Sequence, residues 1–270
     1  MQKDIYKIIT VTLAVLFLVS CDSTKDNQPT TSVIQEVTNV VASKINPPPV
    51  ESPSFQMSQI AEDMVTDAEV SATSKDGIDG GHAYYDKHYQ TATFAGDGSG
   101  ATIAIGVDLG QNTAEWTTTS WTPYFDNTIV KQLAACSGDT TSSLAKRDVT
   151  NLQNIIIVWN TALNEFNTQE VPNYYATALR VFPGLSDLSI NAQSGVLATA
   201  YNRGFSMVGA SRVDMRNLRT AVANKDYQGM ANACLHMKIT MRDSWNNAGI
   251  YEGLAARYDA TAKLILTPDN

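Results

Sequence analysis

The chain predicts an α+β domain in which an N-terminal helix and a small antiparallel sheet pack against a larger helical lobe. Three observations predict it. Ile60, Met64, Val65 and Ala68 recur at helical spacing ahead of Glu69. Residues 76–110 then change character, with glycine-rich turns separating short β-prone runs at 89–94 and 102–107. From Asn127 onward the apolar residues return to helical periodicity, punctuated by Pro172, Pro183-Gly184, Gly204 and Gly249.

The elements follow in chain order. Lys3 and Lys7 precede a mostly apolar run at 8–19, which closes in Leu18-Val19-Ser20-Cys21. The run is shorter than the ~20 apolar residues a membrane-crossing helix needs. Its layout is that of a cleaved export signal occupying residues 1–20. A small residue before a cysteine at the end of such a run resembles the lipobox of bacterial lipoproteins. The resemblance implies lipid on Cys21 and attachment of the chain to a membrane of the cell envelope, with the periplasmic and surface faces both open.

Residues 21–55 read as a tether. They are rich in Ser, Thr, Asn, Gln and Pro, include Pro47-Pro48-Pro49 and Pro53, and hold no aromatic before Phe55. Such a stretch cannot bury a core, and its prolines keep part of it extended. The globular domain is then residues 56–270, a suitable size for one domain. Within it the sheet occupies part of 76–110, and helices are predicted at 129–136, 149–166, 190–201, 213–222, 227–237 and 254–266.

The formal net charge is −8, and removal of the first twenty residues leaves about −9. An acidic surface argues against a nucleic-acid partner, because basic residues are needed to neutralise phosphates. Cys136 and Cys234 remain once Cys21 is lipidated. They either pair as a disulfide in an oxidising compartment or serve as small buried apolar residues. His82, His88 and His236 show no metal-ligand spacing with the cysteines, so no metal is expected, and no motif calls for a cofactor.

One segment carries more. Thr102-Ile103-Ala104-Ile105-Gly106-Val107-Asp108-Leu109-Gly110 resembles the T-I-G-x-G-x-D-L-G run of the pesticin-like branch of the phage-type lysozyme superfamily. The approach through Tyr84-Tyr85-Asp86-Lys87-His88-Tyr89-Gln90 and Gly96-Asp97-Gly98-Ser99-Gly100 is similar too. Downstream, Phe182-Pro183-Gly184, Tyr201-Asn202-Arg203-Gly204, Met215-Arg216-Asn217-Leu218, Lys225-Asp226-Tyr227, His236-Met237-Lys238 and Gly253-Leu254-Ala255-Ala256-Arg257 follow in the family's order. The resemblance covers roughly residues 60–266.

The resemblance implies a lysozyme-like fold and a muramidase, which cleaves the β-1,4 bond after N-acetylmuramic acid in peptidoglycan strands. It also implies a cleft lined by a glutamic acid, an aspartic acid and a threonine. Thr102 and Asp108 match the family's threonine and aspartate. For the general acid, Glu69 has the right residue type and setting at a helix end, and Asp79 is the alternative reached by counting back from Thr102. Tyr84, Tyr85, Asn202 and Arg203 are the matching candidates for substrate contact, with Trp121 a further aromatic that could stack on a sugar.

The chemistry suits these residue types. Glycoside hydrolysis needs one carboxyl protonated to donate to the leaving oxygen, and a second group to activate water or stabilise the transition state. Burial of Glu69 against apolar residues would favour its protonated form. A water held by Thr102 implies inversion. Plainer readings stand beside this one: Asp108 as a turn cap, Thr102 as a strand residue, and Glu69 as one more charge on a helix face. The chain also departs from the family at Ala104, where glycine is usual, at Tyr258, where a second arginine is usual, and at Thr261, where a glutamate is usual. These departures keep two other functions open: a glycan-binding lipoprotein that does not cut, and a lytic transglycosylase that leaves anhydro ends.

Overall fold

A computed structural model describes residues 55–70, 80–96, 98–243 and 251–269. The export signal, Cys21, the tether up to residue 54 and Asp79 lie outside the described residues. What is described is mostly helical, with one small antiparallel sheet, and is therefore α+β.

Helix α1 (Gln59–Glu69) forms where the periodicity places it, but its buried stripe runs one residue later than Ile60. Ala61 and Val65 are fully buried while Ile60 is 55% exposed. The helix packs on the central helix of the larger lobe and on the last one, so its C-terminal residue, Glu69, is carried to the junction of the two parts. Just before it, Phe55 stacks on Tyr175 with ring centroids 3.9 Å apart. The packed domain thus includes the residue that marks the end of the tether in the sequence reading.

The glycine-rich region holds a helix as well as the sheet. Helix α2 (Gly80–His88) stands where turns were expected. Tyr85 explains it: the ring is fully buried against Trp159, and its hydroxyl donates to the Ile157 carbonyl at 2.8 Å. The three strands β1 (Thr93–Phe94), β2 (Ala101–Ile103) and β3 (Val107–Asp108) follow in the order β1-β2-β3, both pairs antiparallel. The register sets Thr93 opposite Thr102, and Thr102 opposite Asp108. Side chains directly opposite one another share a face.

The larger lobe is built from α3 (Ala114–Trp121), α4 (Asn127–Ala134), α5 (Ser142–Asn151), α6 (Trp159–Glu165), α7 (Val171–Val181), α8 (Ile190–Arg203), α9 (Val213–Ala223), α10 (Tyr227–Thr240) and α11 (Tyr251–Ile265). Several starts are fixed by side-chain caps. Thr113 accepts from Trp116 N, Asp126 from Thr128 N and Ile129 N, Ser189 from Ala192 N, and Asp226 from Gly229 N, each satisfying donors that a helix start leaves free. Helix α8 is the axis: eleven of its fourteen residues are buried. Gly195 permits the closest approach there, since a Cβ would stand 2.5 Å from the Ile265 side chain on α11.

Two expectations about this lobe are corrected. The single helix at 149–166 is in fact α5, an extended stretch and α6. In that stretch Ile155 and Ile157 are buried while Ile156 and Val158 are about half exposed, and Ile157 N donates to Gln90 O at 2.8 Å. This alternation is the period of an extended chain, which suits a run of β-branched residues. Pro172 does not interrupt a helix. It occupies the first turn of α7, where a missing N–H is harmless, directly after a π-helical turn at Phe166–Glu170.

The cysteines are not joined. Cys136 and Cys234 are both free and buried. Cys136 Sγ donates to Gln132 O, and Cys234 lies against the Thr199 hydroxyl. Burial pushes each thiol up to about 11, so both behave as inert core residues.

Candidate active site

Glu69, Thr102 and the β2–β3 turn meet at one small cavity. Its lining comprises Glu69, Tyr89, Thr93, Phe94, Ala95, Thr102, Ala104 and Gly106, and its volume is about 50 Å³. About 10–15 Å³ of such space is enough to hold a water, so the cavity has room for water. The turn closes on Glu69 because Gly106 has no side chain: a Cβ there would stand 2.9 Å from Glu69 Oε2. Its φ of 78° is also one that glycine adopts without strain. Ala104 takes a φ of 50° in the same turn, a left-handed backbone conformation that glycine adopts more readily.

The polar atoms around the cavity differ in how far they are satisfied. Glu69 Oε1 accepts from Arg257 Nη1 at 2.7 Å, with the two side chains only 10% and 6% exposed. The apolar setting expected for Glu69 is therefore replaced by an ion pair on one of its oxygens. Arg257 Nη2 also donates to Ala198 O at 3.4 Å, tying the pair to helix α8. Thr102 is 7% exposed, and its hydroxyl has no hydrogen-bond partner. A buried hydroxyl left unpaired costs ~1–3 kcal/mol.

Asp108 is the opposite case. Its Oδ2 accepts from the Ser99 hydroxyl, and its Oδ1 accepts from Gly100 N and Gly110 N, each at 2.9 Å. It caps the short 3-10 turn Leu109–Gln111 and is not among the residues lining the cavity. Pairing in register with Thr102 brings the two residues together, yet of the two only Thr102 lines the cavity.

The other sequence candidates separate. Tyr85 and Trp121 are fully buried and available to no ligand. Arg203 is 6% exposed, and it is tied into the helical lobe by donating to Ser211 O at 3.1 Å and by contact with Met241 Sδ. Its burial leaves little of the side chain open to a ligand. Asn202 accepts from the Tyr258 hydroxyl at 2.9 Å, which ties the end of α8 to α11. Tyr84 is half-buried and packs on His88 and Tyr89, with ring centroids 4.3 Å and 6.1 Å away.

Sequence reasoning missed the groups behind Glu69. Tyr201 donates from its hydroxyl to Ile105 O at 3.2 Å, and its ring lies 4.6 Å from Tyr174, which in turn lies 5.6 Å from Phe205. All three are partly exposed. Glu165 and Glu170 are buried nearby, at 0% and 4% exposure. Burial and then the charge of Glu69 push Glu170 up to about 8, and burial with the charge of Glu170 holds Glu165 well above the carboxylate range. Two Glu residues five apart carry no motif, so only their burial identifies them.

No family model matches the chain, and no curated protein matches it.

Proposed function

We propose that this chain is a lysozyme-like muramidase of the bacterial envelope, lipid-anchored through Cys21 and acting on peptidoglycan glycan strands. One observation carries the reading: Glu69 and Thr102, whose buried hydroxyl has no hydrogen-bond partner, line the same small cavity. Inverting hydrolysis needs a carboxyl that protonates the leaving oxygen and a water held in place to attack. Glu69 is the proton donor and Thr102 orients the water. Asp108 braces the β2–β3 ladder beneath them. Gly106 lets the turn reach Glu69, and Arg257 fixes the rotamer of its carboxyl.

A second reading has its own support. Asp108 is saturated by three donors and does not line the cavity, so the aspartate that would activate water is engaged in holding the turn. This favours a glycan-binding lipoprotein without cleavage. The test is mass spectrometry of fragments released from purified peptidoglycan by the full chain, with Glu69→Gln and Asp79→Asn in parallel. Ordinary reducing muramic acid ends, reduced ~10²–10⁴-fold in Glu69→Gln and unchanged in Asp79→Asn, are expected. Anhydro ends would replace hydrolysis with a lyase reaction. Absence of fragments from folded protein that sediments with the wall would leave the binding reading.

A further inference from the structure

Phe94 lines the same cavity as Glu69 and Thr102, and a cation is held over its ring. The ammonium of Lys146, on α5, stands 5.4 Å from the ring centroid, within the ~6 Å at which an aromatic face attracts a positive charge. The placement follows from the fold. Strand β1 sets Phe94 opposite Ala101 and Thr93 opposite Thr102, and α5 packs across β1 and β2. Just beyond the end of α5, Gln153 Nε2 donates to Ala92 O at 2.8 Å, fastening the helix to the residue that precedes β1.

Lys146 and Arg147 are neighbours in sequence with opposite fates. Arg147 gives Nη2 to Asp139 Oδ2 and to Asp148 Oδ1, each at 2.8 Å, and Nε to the same Asp148 oxygen at 3.0 Å. Lys146 is exposed and has no carboxylate partner among the described residues. An aromatic face orients an ammonium without neutralising it, since the ring carries a quadrupole and no net charge. Glu69 is already paired with Arg257, and Asp108 accepts three hydrogen bonds. The charge offered to a ligand beside Phe94 is therefore positive. The chain as a whole is acidic, at −8, and repels an anionic polymer at long range. A local cation next to the cavity is where such a polymer gains attraction.

We propose that Lys146 is a specificity-determining residue: its ammonium, oriented by Phe94, receives a carboxylate carried on the lactyl arm of N-acetylmuramic acid, whether that arm is free or extended by a peptide. The inference rests on the cavity being the place where a peptidoglycan strand lies. It adds a requirement that the reading above does not contain. A polymer of N-acetylglucosamine alone has the same β-1,4 linkage and no carboxylate, so it forgoes this contact. Lys146 touches the substituent of the sugar and takes no part in proton transfer.

The experiment measures binding of the full chain to three polymers by cosedimentation: intact peptidoglycan, peptidoglycan stripped of its peptides so that the lactyl carboxylates are free, and chitin. Wild type is compared with Lys146→Met, Lys146→Arg and Lys131→Met. Methionine keeps an apolar stem on the Phe94 ring and removes the charge. Lys131→Met makes the same charge change at an exposed lysine of α4 that is not part of the cavity lining. Lys146→Met is expected to weaken binding to both forms of peptidoglycan about fivefold at low salt, the upper end for an exposed ion pair, and to leave chitin unchanged. The loss shrinks as salt is raised, Lys146→Arg restores the affinity, and Lys131→Met matches wild type on all three polymers. In fragment release, Lys146→Met raises KM and leaves kcat unchanged.

An unchanged affinity of Lys146→Met for peptidoglycan overturns the inference. So does an equal loss on chitin, which places Lys146 in the support of the sheet and not at a carboxylate. A loss confined to one form of peptidoglycan upholds it and identifies the carboxylate: the peptide's for intact strands, the lactyl arm's own for stripped ones. If wild type binds and releases no fragments, the muramidase reading fails while the three affinities still decide this inference. A wild type that sediments with none of the polymers overturns it.

Discussion

Two carboxylates sit on either side of Thr102, and they are treated oppositely. Asp108 receives three hydrogen bonds from its own turn and from the loop before β2. Glu69 receives one, from Arg257, 188 residues further along the chain, and its other oxygen lies against Gly106 of the cavity lining. A carboxylate with both oxygens engaged by local donors holds a turn together. One held from a single side by a distant cation is positioned and still has an oxygen to offer. The difference teaches which of two similarly buried acids is structural and which is available for chemistry.

That comparison can be broken at four places. The largest stability effect belongs to Arg257→Met, which leaves Glu69 buried without its cation. Breaking such a pair costs about 3 kcal/mol, measured by urea unfolding, and an unchanged midpoint would show that Glu69 is solvated. Asp108→Asn should cost about 2 kcal/mol, because hydrogen bonds to a charged group are each worth ~1.5–3 kcal/mol and an amide cannot accept all three. Its activity loss should follow the fraction unfolded.

Thr102→Val sharpens the contrast from the other side. Valine has a similar shape and removes a buried hydroxyl that has no partner, so stability should rise by up to ~1 kcal/mol. Fragment release should nonetheless fall by about tenfold, a positioned group being worth ~10-fold or more. Parallel loss of both would show that Thr102 is only a strand residue. The smallest effect is expected at Ala104→Gly, where relief of the left-handed backbone is worth ~1 kcal/mol, offset in part by the greater freedom of glycine when unfolded. Thermal melting would read it as a small gain.

Much of this arrangement was legible in the sequence, and the reasons it was not complete are physical. The first helix, the presence of a small sheet and the α+β class follow from the pattern of residues, while the run at 102–107, read as one β-prone stretch, is two strands on either side of a tight turn. Helix α2 was hidden by Gly80-Gly81, which read as a turn, although Tyr85 and Tyr89 four apart are a helical spacing. The run at 155–158 was read as helix because a continuous apolar stretch has no period of its own, and only burial reveals its alternation. At the cavity, Glu69 and Thr102 are residues that the resemblance singles out in the sequence. The saturation of Asp108 was not legible, since it depends on Ser99, Gly100 and Gly110 folding back onto it. Arg257 lies 188 residues from Glu69, and Glu165 and Glu170 lie about a hundred away, at separations where no local pattern speaks.

The most direct test of a water held by Thr102 opposite Glu69 is the anomeric form of each new reducing end. It is read by proton NMR within the first minutes of peptidoglycan digestion by the full chain, before the anomers equilibrate. Attack by that water on the face opposite the leaving group predicts the α anomer. The β anomer would contradict it, because retention requires a covalent or doubly displaced route in which Thr102 has no such part.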